Sequence, residues 1–144
     1  MINENILKKI GELLLLFIIG GATYVLIEIL WRGYSHSSMF IVGGLCFIII
    51  GSINNYFPWD LGMVQQTLIA CGIITALEFI AGLIFNVWLG LGVWDYSDQP
   101  FNLMGQICLL YSVLWLPLAV FAIVLDDWAR HFLFGEEKPR YKLI

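Results

Sequence analysis

The chain has 144 residues, of which 60% are hydrophobic and only 12% are charged, and its formal net charge is −4. Soluble domains contain roughly 45–50% apolar and about 25% charged residues, so this composition excludes an ordinary water-soluble fold. No basic stripe accompanies the small acidic net charge, which excludes a nucleic-acid partner. The length fits one domain, residues 1–144.

Four apolar segments are each long enough for a helix that crosses a bilayer, which needs about 20 residues. They lie at about residues 10–31, 39–56, 63–88 and 103–125. The segments are too continuous for barrel strands, in which apolar and polar residues alternate. The sequence therefore predicts an all-α fold, a polytopic membrane helix bundle with four transmembrane helices and the lipid bilayer as its surroundings.

The first segment has some features of a secretory signal peptide. Lys8 and Lys9 precede it, and the small residues 20–22 offer a cleavage site. However, the apolar stretch continues to Trp31, which is longer than a typical signal core. We interpret this segment as a retained helix.

Lysine and arginine residues are distributed unequally between the two sides of the predicted bundle. With four helices, the N-terminus, the second loop and the C-terminus share one side. That side carries Lys8, Lys9, Arg130, Lys138, Arg140 and Lys142, and the opposite side carries Arg32 alone. The positive-inside rule then predicts a multi-pass protein of the bacterial cytoplasmic membrane with both termini cytoplasmic. Residues 126–144, which mix charges with aromatic rings, are predicted to lie at the inner interface.

The second half of the chain repeats part of the first. In each half an apolar stretch ends on a glutamate, Glu28 or Glu78, and a Gly-x-[Leu/Ile]-Cys motif follows at Gly43 or Gly105. The connection between the two features is longer in the second half. This pattern predicts a tandem repeat of a two-helix unit, and transporters are often built from such repeats.

Polar residues gather towards the predicted outer ends of the helices. Glu28 and Glu78 lie within the predicted spans, where a charged side chain costs roughly 2.5–3.5 kcal/mol to insert and usually marks a functional site. Arg32 lies one helical turn beyond Glu28, so the two can form an ion pair. We therefore predict a substrate- or proton-binding cluster near the outer surface. Its candidate members are Glu28, Arg32, His36, Glu78, Asn86, Asp95, Asn102 and Gln106.

Other interpretations of these residues stay open. Glu28 could simply neutralise Arg32, and Glu78 could bond to a polar side chain of a neighbouring helix and fix the packing. Residues 89–102, which mix acids with aromatic rings, could form a lid over the cluster, a re-entrant turn or a plain interfacial loop.

Small residues in the third segment are predicted to let helices approach closely. Gly72 and Ala76 form a small-xxx-small pair, and Gly82 follows one turn beyond Glu78. We expect this face to pack against a neighbouring helix.

The motifs of several enzyme classes are absent from the sequence. It contains no P-loop, no Gly-x-Ser-x-Gly nucleophile elbow and no His-Glu-x-x-His zinc motif. Cys46, Cys71 and Cys108 lie inside apolar segments, where we expect ordinary reduced thiols. We therefore predict no catalytic residue, no metal and no cofactor, and the sequence favours a protein that is not an enzyme.

Two strings in the sequence are distinctive, Arg-Gly-Tyr-Ser-His beginning at Arg32 and Trp-Asp-Tyr-Ser beginning at Trp94. Around them stand Glu28, Gly43-Gly44-Leu45-Cys46, Glu78, Pro100, Asn102 and Gly105-Gln106-Ile107-Cys108. Together these features resemble the CmpB-like family of small bacterial membrane proteins, which are classed as type-IV ABC-transporter permeases. The resemblance covers most of residues 20–120. It implies a multi-spanning fold, a transport role and a separate ATPase subunit as a partner.

Three functions are compatible with these features. The leading hypothesis is a permease or permease subunit that uses the carboxylate cluster to bind a substrate or a proton. It would act as a homo-oligomer or within a hetero-complex, because four helices leave little room for a closed pathway. The alternatives are a membrane-embedded enzyme or lipid-headgroup-binding protein, in which Arg32 and His36 could hold a phosphate, and a structural or sensory membrane partner.

Overall fold

The computed structural model describes residues 3–57 and 61–144, and residues 58–60 of the predicted second loop lie outside the described residues. The helices are α1 (Glu4–Arg32), α2 (Ser37–Gly51), the short α3 (Ile53–Tyr56), α4 (Met63–Gly82) and α5 (Leu109–Phe134). A π-helical segment, Leu83–Trp88, continues α4, and two short strands, β1 (Asn102–Leu103) and β2 (Ile107–Cys108), form an antiparallel hairpin.

Four helical stretches are long and apolar enough to cross a membrane. They are Glu4–Arg32, Ser37–Tyr56, Met63–Trp88 and Leu109–Phe134. The predicted all-α membrane bundle with four transmembrane helices is therefore confirmed. In the following we call the end of the bundle that holds residues 33–36 and 89–108 the hairpin end.

The fourth helix begins and ends later than the sequence predicts. Residues 102–108 form the hairpin, in which Met104 and Gly105 have φ angles of 53° and 69°. These left-handed conformations are incompatible with a continuing helix, so α5 begins only at Leu109. At its other end α5 continues through Asp126 and Asp127 to Phe134, and these two acids therefore join Glu28 and Glu78 within the long helices.

The two proposed repeat units share one structural feature and differ in another. Glu28 and Glu78 both lie in the first helix of their unit. In contrast, Gly43 is a buried residue within α2, whereas Gly105 belongs to the turn before α5. The two Gly-x-[Leu/Ile]-Cys motifs therefore occupy different local structures.

The connection between α1 and α2 is short because a capping residue ends α1 and another begins α2. Gly33, with a φ of 84°, terminates α1, and its N–H donates to Ile29 O at 2.8 Å. The imidazole of His36 accepts from Ser38 N at 3.2 Å and so caps the first turn of α2. His36 thus has a structural role at the start of this helix.

Glycines bring α1 and α2 into close contact along their length. A Cβ atom added to Gly21 would lie 2.6 Å from the backbone oxygen of Phe40, and one added to Gly44 would lie 2.6 Å from the Phe17 ring. The predicted close approach at Gly72 does not occur, because nothing lies within 4 Å of a Cβ added there. At Gly82 a close approach does occur, because an added Cβ would lie 2.5 Å from Gln106 Oε1, in the segment before α5. Gly51 of α2 likewise lies against Asp126 of α5.

The helices pack around an apolar core that extends from the middle of the bundle towards the end opposite the hairpin end. Its buried members are Ile50, Ile53, Ala70, Ile74, Trp115, Ala119 and Ile123. α4 packs along α5, whereas α1 touches α5 at only a few positions. The last residues of the chain return to α4, where Met63 N donates to Lys142 O at 2.7 Å and Val64 N to Leu143 O at 3.1 Å.

The glycine contact between α1 and α2 can be tested by a pair of alanine substitutions. We expect Gly21→Ala to reduce the free energy of unfolding by about 1–3 kcal/mol, because the backbone carbonyl it meets cannot rotate away. Gly72→Ala, with open space around it, should leave stability unchanged or raise it slightly, because alanine favours helix. Thermal unfolding of the purified proteins in detergent measures both. Equal melting temperatures for the two variants would contradict this account of the packing.

Candidate functional site

A cavity of about 580 Å³ lies between α1, α2, α4 and α5. It extends from Trp94 and Tyr96 at the hairpin end to Ile50 and Leu125 deeper in the bundle. Its lining is mostly apolar, and its acidic groups are Glu28 from α1 and Glu78 from α4. We call it the apolar cavity.

Glu78 is buried in the wall of this cavity, with only 7% of the residue exposed. Trp115 Nε1, from α5, donates to Glu78 Oε2 at 2.9 Å, and the Tyr96 hydroxyl donates to Glu78 Oε1 at 3.1 Å. Both carboxylate oxygens therefore have a partner, which offsets part of the cost of burying the group. Glu78 pairs with no cation within the described part of the chain, so its partners there are neutral.

Glu28 is in a different electrostatic position. Arg32 Nη2 lies 2.7 Å from Glu28 Oε1, which confirms the ion pair predicted from their spacing. Ser35 Oγ also donates to this carboxylate. The guanidinium of Arg32 reaches further, donating to Val93 O at 3.3 Å and lying 4.4 Å from the centre of the Tyr34 ring. Glu28 is thus neutralised by Arg32 although both residues line the cavity.

A second, polar pocket of about 400 Å³ adjoins the apolar cavity at the hairpin end. The two spaces share the side chains of Arg32, Trp94, Tyr96 and Tyr111. We call this space the polar pocket. Its acidic members are Asp95 and Asp98.

Asp95 is held in its position by Ser97. The carboxylate oxygen Oδ1 accepts from Ser97 N at 2.9 Å and from Ser97 Oγ at 2.5 Å. These hydrogen bonds favour the charged form and lower the pKa of the Asp95 carboxyl below its ordinary value. Asp95 therefore contributes a negative charge to the polar pocket at neutral pH.

The segment of residues 89–108 places two aromatic side chains, Trp94 and Tyr96, over the apolar cavity. Gly90 and Gly92 have positive φ angles of 65° and 57°, and the Tyr96 N–H donates to Gly105 O at 2.8 Å. Tyr96 stacks on Tyr111 of α5 with ring centres 4.6 Å apart. Burial and the neighbouring Glu78 raise the pKa of the Tyr96 hydroxyl above its ordinary value, so this group remains a hydrogen-bond donor.

Three other predicted site residues shape this segment. Asn86 Nδ2 donates to Gln106 Oε1 at 2.9 Å, and Asn86 Oδ1 accepts from Val93 N at 2.6 Å. Asn102 Nδ2 donates to Gln99 O at 2.8 Å, and Asn102 Oδ1 accepts from Gly105 N at 3.0 Å. The structure thus brings Glu28, Arg32 and Glu78 to one cavity and Asp95 to the adjoining pocket. Asn86, Asn102 and Gln106 support the loop, and His36 caps α2.

Sequence reasoning missed a polar cluster at the opposite end of the bundle. Asp126 has 0% exposure and lies 2.7 Å from Arg130 Nε. Asp127 accepts from Asn54 Nδ2 at 3.0 Å and from the Tyr141 hydroxyl at 3.1 Å. The available signal was the spacing of Asp126 and Arg130, which are one helical turn apart, as Glu28 and Arg32 are.

Aromatic residues of the cavity wall were also missed as site residues. Tyr96 and Trp115 are 18 and 37 positions from Glu78 in the sequence, so no local pattern links them to it. Among residues 3–57 and 61–144, no group of three or more His, Cys, Asp or Glu side chains could hold a metal ion.

The comparisons with known proteins identify a family. A family model described as "Putative ABC-transporter type IV" matches residues 15–134. No curated protein and no solved structure matches the chain. The matched residues include parts of all four membrane-spanning stretches together with the apolar cavity and the polar pocket. The chain is thus a multi-pass membrane protein that belongs to this ABC-transporter-related family.

Proposed function

We propose that this protein is a permease or permease subunit in which the apolar cavity takes the substrate and Glu78 binds the substrate or a proton. The observation that carries the proposal is the burial of an acidic side chain, without a cationic partner in the described residues, in the wall of a cavity of about 580 Å³. Intramembrane acids of this kind usually mark ion or substrate pathways.

The hydrogen bonds of Glu78 suggest how binding could be coupled to movement. Its partner Tyr96 belongs to the segment of residues 89–108, and its partner Trp115 belongs to α5. A hydrogen bond to a charged carboxylate is roughly twice as strong as one to a neutral carboxyl. Proton or cation binding at Glu78 would therefore weaken the contact with Tyr96. We propose that the segment acts as a lid that this contact holds closed.

The remaining site residues have supporting roles in this proposal. Glu28 and Arg32 form a fixed ion pair at the junction of the two spaces, and Asp95 adds negative charge to the polar pocket. Asn86, Asn102 and Gln106 maintain the shape of the lid. His36 fixes the turn between α1 and α2.

We further propose that the protein lies in the bacterial cytoplasmic membrane with both termini in the cytoplasm and the hairpin end outside. The unequal distribution of lysine and arginine supports this orientation. Membership of an ABC-transporter-related family supports a separate ATPase subunit at the cytoplasmic end. Long apolar faces, including that of α1, stay exposed in the single chain and leave room for an oligomer or a hetero-complex.

The role of Glu78 can be tested in liposomes that contain the purified protein. We expect Glu78→Gln to reduce proton flux driven by a pH gradient by about tenfold or more. Glutamine has no titratable proton, and a positioned acid or base typically speeds proton transfer by about 10²–10⁴-fold. A pH-sensitive dye inside the liposomes measures the flux. The matched control is Glu12→Gln in α1, where Glu12 pairs with Lys8 outside the cavity. Equal flux in wild type and in folded Glu78→Gln would refute a proton-binding role.

The proposed lid predicts a specific effect of Tyr96→Phe. This change removes the hydroxyl that donates to Glu78 and keeps the ring that stacks on Tyr111. Loss of a buried hydrogen bond costs about 1–3 kcal/mol, so amide hydrogen exchange in residues 89–108 should become roughly tenfold faster. Tyr56→Phe is the control, because Tyr56 is 83% exposed. The lid proposal fails if exchange in this segment is the same in both variants.

The orientation predicts which cysteine variants a membrane-impermeant maleimide can label in intact cells. Asp98→Cys at the hairpin end should be labelled directly. Lys138→Cys, after α5, should be labelled only once the cells are permeabilised. Wild type, with its three cysteines in the long helices or beside them, gives the background. The reverse pattern of labelling would show that the termini are outside.

A further inference from the structure

The apolar cavity and the polar pocket are two parts of one space. They meet at Arg32, Trp94, Tyr96 and Tyr111, which line both. We infer that together they bind a cationic amphiphile, whose positively charged head lies in the polar pocket and whose hydrocarbon tail lies in the apolar cavity. This inference rests on the proposed function and names its substrate class.

The shape of the apolar cavity suits a hydrocarbon tail that arrives from the bilayer. α1 and α5 make few contacts with each other, one of them the pairing of Tyr24 with Trp115, whose ring centres are 6.0 Å apart. Leu30 on α1 is 79% exposed, and Phe121 on α5 is 49% exposed, although both belong to the lining. The cavity lining therefore reaches the outer surface on both helices, and we place the entrance for the tail between them. A molecule dissolved in the membrane can enter there without crossing water.

The charges around the junction favour a positive head group. Four carboxyl groups, those of Glu28, Glu78, Asp95 and Asp98, line the two spaces together with one guanidinium, Arg32. Arg32 is already paired with Glu28. An anionic head group would therefore be repelled by uncompensated negative charge. A cationic head group would supply the positive partner that Glu78, Asp95 and Asp98 lack.

The aromatic rings at the junction favour an ammonium group in particular. Trp94, Tyr96 and Tyr111 line both spaces, and Tyr34 lines the polar pocket. Ring faces attract Arg and Lys cations and quaternary ammonium ligands within about 6 Å of the ring centre. Tyr34 already holds the Arg32 guanidinium in this way, at 4.4 Å. Tyr96 and Tyr111 stack on each other, so among the described residues Trp94 is the ring of this group without an aromatic or cationic partner, and we place the ammonium group against it.

The binding test uses the purified full chain in dodecyl maltoside micelles, whose head groups are uncharged. The probe is a dodecyltrimethylammonium that carries a photoreactive diazirine at the end of its chain. We expect saturable crosslinks to the lining of the apolar cavity, such as Cys46 and Phe47, as mapped by mass spectrometry. Excess dodecyltrimethylammonium should remove the crosslinks, and the anion dodecanoate should not. Equal competition by the two, or crosslinks confined to the outer faces of the helices, would overturn the inference.

A pair of single-charge variants tests the position of the head group. Asp98→Asn removes a charge from the polar pocket, and Asp98 is an exposed side chain whose one hydrogen bond, from Gln99, is long at 3.4 Å. We expect the probe to bind about two- to fivefold more weakly, as is typical of exposed charge pairs. Glu137→Gln, in the segment after α5, should bind the probe like wild type. If the two variants bind equally, the head group is not in the polar pocket.

These results can be separated from the test of the proposed function. If the probe binds as described and proton flux does not depend on Glu78, the binding site stands and the proton-binding role falls. If flux depends on Glu78 and the probe fails to bind, the permease proposal stands and the cationic substrate class is wrong.

Discussion

The burial of the Glu78 carboxylate constrains much of the structure around it. A carboxylate inside an apolar bundle needs hydrogen-bond donors, because water is not there to supply them. Trp115 reaches it from α5 and Tyr96 reaches it from the segment of residues 89–108. These two bonds fix α5 against α4 and hold Tyr96 over the apolar cavity. The position of one acid thus determines both a helix contact and the cover of the candidate site.

The cavity itself follows from an unequal packing of the helices. Glycines let α1 and α2 approach until backbone and side-chain atoms of the two helices are in contact. α5 packs along α4 and is only loosely associated with α1. The loose contact between α1 and α5 leaves room for the cavity beside the tight pair.

The sequence predicted the features that depend on local composition and spacing. Apolar length gave the four spans, and a separation of one helical turn gave the ion pair of Glu28 and Arg32. The late start of α5 was not predictable in this way, because it depends on left-handed backbone angles at Met104 and Gly105. The glycines that pack could not be told from those that do not, since Gly21 and Gly72 differ only in their neighbours in space. The donors to Glu78 could not be predicted either, because Tyr96 and Trp115 are distant from it in the sequence and become its neighbours only in the fold.

The buried carboxylates of the bundle differ in whether a cation neutralises them, and this difference bears on function. Glu28 has Arg32 one turn away, and Asp126, at the other end of the bundle, has Arg130 at the same spacing. A carboxylate with such a partner can be explained by the stability of the helix alone. Glu78 has only neutral donors within the described residues, and those donors leave its charge uncompensated. Because an uncompensated charge in an apolar site is costly, the site gains most from a ligand that brings a positive charge. A proton would meet this requirement at Glu78 itself, and an ammonium group in the polar pocket would meet it from beyond Tyr96, which lines both spaces.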